Sequence, residues 1–234
     1  MIICPVCKVE NHHLAVNCVS CGGYVQRRVD NLDLFNLLWR LFETPGKALH
    51  DVVIAVHKNY VLLVSAITGL WQLSMFFRLI GAGEYSPSIL NILFAVYTIG
   101  FVFGIVSNLI FAGVTLGISS VFGQKARFRN VLALCAYAQV PVMYMSVFLV
   151  PLEAMVWGIY FFTKSPEASV LYPMPFYIVA GMTLACLSWS GFLYVLGLKK
   201  LLDAPWSKLM TIAVGSIGIM AVITSGLAFV IRHL

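Results

Sequence analysis

Five long apolar runs, each free of Asp, Glu, Lys and Arg, alternate with short polar joints: residues 59–77, 85–124, 130–152, 168–198 and 209–231. A helix needs about 20 mainly apolar residues to cross a bilayer core, so each run predicts a spanning helix. The second and fourth runs exceed one crossing, and their openings, Ser86-Pro87-Ser88 and Tyr172-Pro173-Met174-Pro175, suit loops and helix starts. The predicted spans are therefore 59–80, 89–121, 130–151, 174–198 and 208–231. Met155 to Phe162 is too short to cross alone and is expected to extend the third helix past Pro151 as a kinked or interfacial piece.

Upstream of the first span the pattern changes. Leu34 to Phe42 is strongly apolar but too short to span, which predicts an interfacial helix with Trp39 at headgroup level and Arg40 reaching lipid phosphates. After Pro45 a second helix runs to Lys58, with Ala48, Leu49, Val52, Val53 and Val56 on one face and Lys47, His50, Asp51 and His57 on the other. Residues 26–33 are polar and read as a linker ending in a capping Asn or Asp, free to let the first 25 residues move. The expected fold is an all-α polytopic membrane protein. It has five transmembrane helices (59–234) and juxtamembrane amphipathic helices (34–58), preceded by a small four-cysteine zinc-ribbon module (1–25).

Composition agrees with this reading: 61 % of the 234 residues are apolar and 10 % charged, and mean hydropathy is +0.93. Such a chain is solvated by lipid, not water. The formal charge is +6, and a Zn²⁺ held by four thiolates would lower it to about +4. On a membrane protein this excess reports topology. Lys125, Arg127 and Arg129 follow the second span, and Lys199, Lys200 and Lys208 follow the fourth. The other links carry Glu84, and Glu153, Lys164 and Glu167. The positive-inside rule then puts the amino terminus in the cytoplasm and Arg232-His233-Leu234 outside.

Candidate chemistry concentrates at the head. Cys4, Cys7, Cys18 and Cys21 form two C-x2-C pairs, with Pro5 inside the first and Gly22-Gly23 after the second. Four thiolates can close a tetrahedron around Zn²⁺ with Zn–S bonds of about 2.3 Å, leaving no position for a substrate. The alternatives are a disulfide pair, disfavoured in a reducing cytoplasm, and chance spacing. No charged n-region with a following apolar stretch precedes the pairs, so the head is expected on the cytoplasmic side. His12 and His13, in the gap between the pairs, are alternative ligands to a site the thiols already complete. Cys135 and Cys186 lie in apolar runs and read as small buried hydrophobes.

The bundle offers little for catalysis, with no His inside a span, no nucleophile elbow and no phosphate loop. Its candidate polar site is Glu153, Asn108, Tyr137 and Gln139, with Glu153 either facing solvent or turned into the bundle beside Pro151. Arg78, at the end of the first span, is expected to snorkel. Gly100 and Gly104, and again Gly113 and Gly117, make G-x-x-x-G pairs that predict close helix contacts and allow a homo-oligomer. Nucleic acid is an unfavourable partner for the head, whose only charged side chains are Lys8 and Glu10.

Three stretches resemble the Yip (Ypt-interacting protein) family: Phe42-Glu43-Thr44-Pro45-Gly46-Lys47-Ala48-Leu49, Phe128 through Tyr137 to Pro141, and Gly197-Leu198-Lys199-Lys200 leading to Ser207-Lys208. The likeness covers about residues 35–231. It implies a five-span protein with a cytosolic amino terminus, and prokaryotic members of the family often carry a short zinc-ribbon head. Eukaryotic relatives act in membrane traffic and associate with prenylated Rab-type GTPases and with each other. The zinc head departs from that eukaryotic pattern and points to a prokaryotic plasma (inner) membrane. The expectation is a non-enzymatic scaffold whose ribbon recruits a cytoplasmic protein partner, against the alternative of a transporter or channel for an ion, small molecule or lipid.

Overall fold

The computed structural model describes residues 1–86 and 88–233. Pro87 of the second helix start and Leu234 of the carboxyl-terminal tail lie outside the described residues. Two short strands, β1 (Ile2–Ile3) and β2 (Glu10–Asn11), pair antiparallel in the head. Helices α1 (Leu34–Glu43) and α2 (Pro45–Ile54) follow, and then the helices of the membrane body. Among the described residues, five helical segments are long and apolar enough to cross a membrane: α3 (Val61–Ile80), α4 (Ile89–Val121), Val140–Phe162, α8 (Pro173–Leu202) and α9 (Trp206–Arg232).

The third crossing differs from the predicted one. Instead of one helix over 130–151, the chain forms α5 (Phe128–Ala138), breaks at Gln139, and restarts as α6 (Val140–Trp157), continued by a 3-10 turn at Gly158–Phe162. Pro141, in the first turn of α6, is the cause, because proline has no N–H for a continuing helix and suits a new helical start. Residues 152–162 thus belong to the crossing itself, and Pro151 is accommodated inside α6. A four-residue turn, α7 (Ala168–Leu171), leads into α8 and accepts the Trp157 indole N–H at the Ala168 carbonyl, 3.0 Å.

Helix α5 is the hub of the ribbon end. It packs against α2, α3, α4 and α8, and Ala133, Leu134, Cys135, Ala136 and Tyr137 are fully buried. Around it lies a core that includes Leu37 and Leu41 of α1, Leu49 and Val52 of α2, Leu198 of α8 and Ile212 of α9. Helix α1 has one buried and one open face: Leu37, Leu38 and Leu41 face this core, while Phe35, Trp39 and Phe42 remain exposed. Arg40 turns inward and pairs with Asp51 at 2.8 Å. The linker is also held. Val56 and His57 donate their N–H groups to the Val29 and Asp30 carbonyls, both at 2.9 Å, Leu32 is buried, and Asp33 caps α1 by accepting the Asn36 N–H.

The two G-x-x-x-G pairs have different fates. Gly100 and Gly104 meet Gly69 of α3 so closely that a Cβ on Gly69 would overlap the Gly100 carbonyl and the Gly104 backbone. Gly113 and Gly117 face open space. We expect Gly104→Val to destabilise the body by about 3 kcal/mol, since backbone cannot move aside as a side chain can, and Gly113→Val to be nearly neutral. Thermal unfolding of the two variants in matched detergent checks the contrast.

Candidate metal centre and the polar chain of the bundle

The head is built from two equivalent knuckles. In the first, the Lys8 N–H bonds the Cys4 carbonyl and the Cys4 N–H bonds the Val9 carbonyl, each at 3.0 Å. In the second, Gly22 N–H bonds the Cys18 carbonyl at 3.0 Å and Cys18 N–H the Gly23 carbonyl at 2.8 Å. Both turns require a left-handed residue just after the second cysteine. Gly22 supplies it at φ 71°, but the first knuckle uses Lys8 at φ 61°, where a Cβ costs about 1–2 kcal/mol.

The knuckles bring their thiols together. The Cys4 and Cys21 sulfurs lie 3.7 Å apart, those of Cys7 and Cys18 3.4 Å, and all four within 4.8 Å of one another. A tetrahedron with metal–sulfur bonds of about 2.3 Å has edges of about 3.8 Å, so the four cysteines can hold a metal ion. His12 and His13 are not part of the cluster. The N–H groups of Cys21 and Ser20 favour the Cys18 thiolate and bring it down to about 6, and the Cys7 N–H lowers Cys4. Cys21 has the Gly23 N–H in its favour, yet the neighbouring Cys7 thiol and desolvation push it up to about 11. A divalent cation bound among the four sulfurs would supply the charge that lets all the thiols ionise.

Asn11 ties the knuckles to each other, a role the sequence reading missed. Its buried amide donates to the Val9 carbonyl at 2.8 Å and to the Cys18 sulfur at 3.5 Å, and accepts the Val19 N–H at 2.9 Å. The signal was faint, a lone Asn at the end of a two-residue strand.

The expected bundle site separates into three places. Asn108 and Gln139 do meet, the Gln139 amide donating to Asn108 Oδ1 at 3.3 Å. They belong to a longer chain: Ser107 donates to Gln72, Gln72 to Gln139 at 2.7 Å, and Asn108 to Ser65 at 2.8 Å, whose hydroxyl bonds the Val61 carbonyl at 2.8 Å. Tyr137 is elsewhere, its hydroxyl donating to the Asn59 carbonyl at the ribbon end. Glu153 is buried at the far end, with Oε2 unpartnered among the described residues, in a cavity of about 230 Å³ that it shares with Arg78. Arg78 does not reach for solvent alone, because its guanidinium carbon lies 4.7 Å from the Phe161 ring centre and 5.2 Å from that of Phe176.

The basic links lie at the ribbon end. Lys125, Arg127 and Arg129 line a cleft with His12 and Ala15, and Arg129 donates to the Val56 carbonyl. Lys199 bonds the Ala204 carbonyl at 2.9 Å, Lys200 lies against Gly46, and Lys208 is exposed on the first turn of α9. A family model for the Yip1 domain matches residues 39–227, from α1 to near the end of α9. The chain belongs to the Yip1 domain family. No curated protein and no solved structure matches it. The four-cysteine head precedes the matched residues, so the Yip1 domain here carries an added module.

That module rests on the Yip1 domain through His50 of α2, whose Nε2 meets the Gln26 Oε1 at 3.0 Å. Burial lowers the His50 pKa, Asp51 opposes this, and Lys200 and His13 add to it. With the folded value depressed below about 6.5, the docked state favours neutral imidazole. Nε2–H donates to Gln26 in either protonation state, so the sensitivity comes from burying the charged ring beside Lys200 and His13: the stability of the docked state is full above pH 6.5 and falls as pH drops through the lowered folded value. Hydrogen exchange over residues 25–33 should therefore quicken on acidification, and His50→Gln should flatten that response. For the metal site, Asn11→Ala should weaken Zn²⁺ affinity about tenfold with no ligand removed, measured on the full chain by chelator competition.

Proposed function

We propose that this protein is a non-enzymatic membrane scaffold whose zinc-loaded ribbon presents a fixed surface to a protein partner at the cytoplasmic face. The observation that carries the reading is the pairing of a closed four-sulfur site with exposed apolar side chains on the same module. A site with all four ligands from protein serves folding, not catalysis. Zn²⁺ is the ion that best suits four thiolates at this spacing without redox chemistry.

The knuckle residues Val6 and Val19 are 71 % and 80 % exposed, and Ile3 beside them 60 %. Apolar residues gathered on so small a module favour a protein partner, and the scarcity of charge there disfavours nucleic acid. The basic links at the ribbon end support a cytoplasmic ribbon and an opposite carboxyl terminus, in keeping with a prokaryotic plasma membrane. The open Gly113 and Gly117 face offers a second copy a place to pack.

A second reading, a transporter or lipid-handling bundle, draws on one observation. A cavity of about 600 Å³ between α3, α4, α8 and α9 is lined by Phe76, Phe103 and Ile217 but reaches the polar chain at Gln72, Ser107 and Gln139. An amphiphile would find both of its ends matched there.

In-cell photo-crosslinking separates the two. Val6→Asp/Val19→Asp and Cys4→Ser/Cys7→Ser should each lose the same partner that wild type captures, the first with its metal retained. Undiminished capture by both variants, together with liposome flux abolished by Gln72→Leu, would transfer the function to the bundle.

A further inference from the structure

A cleft of about 640 Å³ opens at the ribbon end between the linker, the α1–α2 corner and the end of α8. Four cationic side chains line it: Arg27, Arg40, Lys47 and Lys200. The only carboxylate in the described lining is Asp51, already paired with Arg40. Among the described residues, Arg27, Lys47 and Lys200 have no carboxylate within salt-bridge distance.

The backbone adds to the imbalance. Thr44 stands at the start of α2 without a capping bond from its side chain, and Pro45 opens the first turn, so the positive end of the helix faces the same space. The Lys200 stem lies 3.9 Å from where a Cβ on Gly46 would sit, which holds a cation at the helix end least favourable to it. Such a gathering is unfavourable unless an anion sits among the charges, and a phosphate offers acceptors to two guanidinium groups and two ammonium groups together.

The neighbouring surface says where that phosphate comes from. Phe35, Trp39 and Phe42 form one exposed aromatic face of α1, and Phe42 stacks on Trp189 of α8 at 6.3 Å between ring centres. An aromatic belt of this kind sits at headgroup level. Arg40, next to Trp39 in α1, points from that level into the cleft.

We propose that the cleft binds the phosphate of an anionic lipid headgroup, so that the junction of ribbon and membrane body is completed by lipid. Native mass spectrometry of the purified full chain in detergent, offered phosphatidylglycerol or phosphatidylcholine, tests this. Wild type should retain phosphatidylglycerol roughly tenfold better than phosphatidylcholine. Arg27→Gln/Lys200→Gln should lose the preference, the charge-conserving Arg27→Lys/Lys200→Arg should keep most of it, and Lys164→Gln/Arg232→Gln, at cations outside the cleft, should keep all of it. An equal preference in Arg27→Gln/Lys200→Gln and wild type overturns the site. Displacement of the lipid by inorganic phosphate at matched concentration overturns the lipid source and assigns the cleft to a free anion.

Discussion

Everything at the ribbon end depends on the interruption of a helix at Gln139. A break at membrane depth frees backbone groups that lipid cannot satisfy, and here the residue at the break satisfies them: its amide donates to the Cys135 carbonyl at 3.1 Å and its own carbonyl accepts the Met143 N–H at 3.0 Å. The same amide is gripped by Gln72 and Asn108 from α3 and α4. The polar chain is thus primarily the support of a discontinuity. Without the break α5 could not turn into the centre of the bundle, where α2, α3, α4 and α8 all lean on it.

From that hub the amino-terminal helices acquire their place. Helices α1 and α2 are anchored by Leu37, Leu41, Leu49 and Val52 around α5, and Lys58 closes the end of α2 by donating to the Val53 carbonyl at 2.7 Å and to that of Val52. Burial and the nearby Arg129 bring Lys58 down to about 8, a cost accepted because two helix-end carbonyls would otherwise be left open. The far end is organised separately, by Trp157, Phe161 and Phe162 packed with Leu70 and Ile92. Glu153 and Arg78 sit inside that aromatic layer, remote from the ribbon.

The five crossings and the four thiols were readable in the sequence because each rests on a simple signal: uncharged length for a span, paired spacing for a metal site. The break at Gln139 was not, since its only mark is Pro141, and a proline can kink a helix as readily as start one; Pro151 does sit within a continuing helix. Identical G-x-x-x-G spacing on α4 gave no hint that one pair is occupied and the other open, because that is decided by Gly69 on a different helix. Asn11 and Lys8 escaped for a similar reason. Their roles arise from the turn geometry around them, and only the matching place of Lys8 and Gly22 after each cysteine pair betrays the shared conformation. The sequence around Glu153 suits solvent and bundle alike, and the apolar stretch after it, Met155 to Phe162, carries it inside.

The main-chain bonds from Val56 and His57 to Val29 and Asp30 set what the ribbon would offer to anything that bound it. A module on a loose tether searches a volume, and docking must take away that freedom each time. Here the freedom is surrendered once, when the chain folds. The ribbon is held at a set height and heading, so anything that bound it would acquire a defined orientation to the helical bundle in the same step.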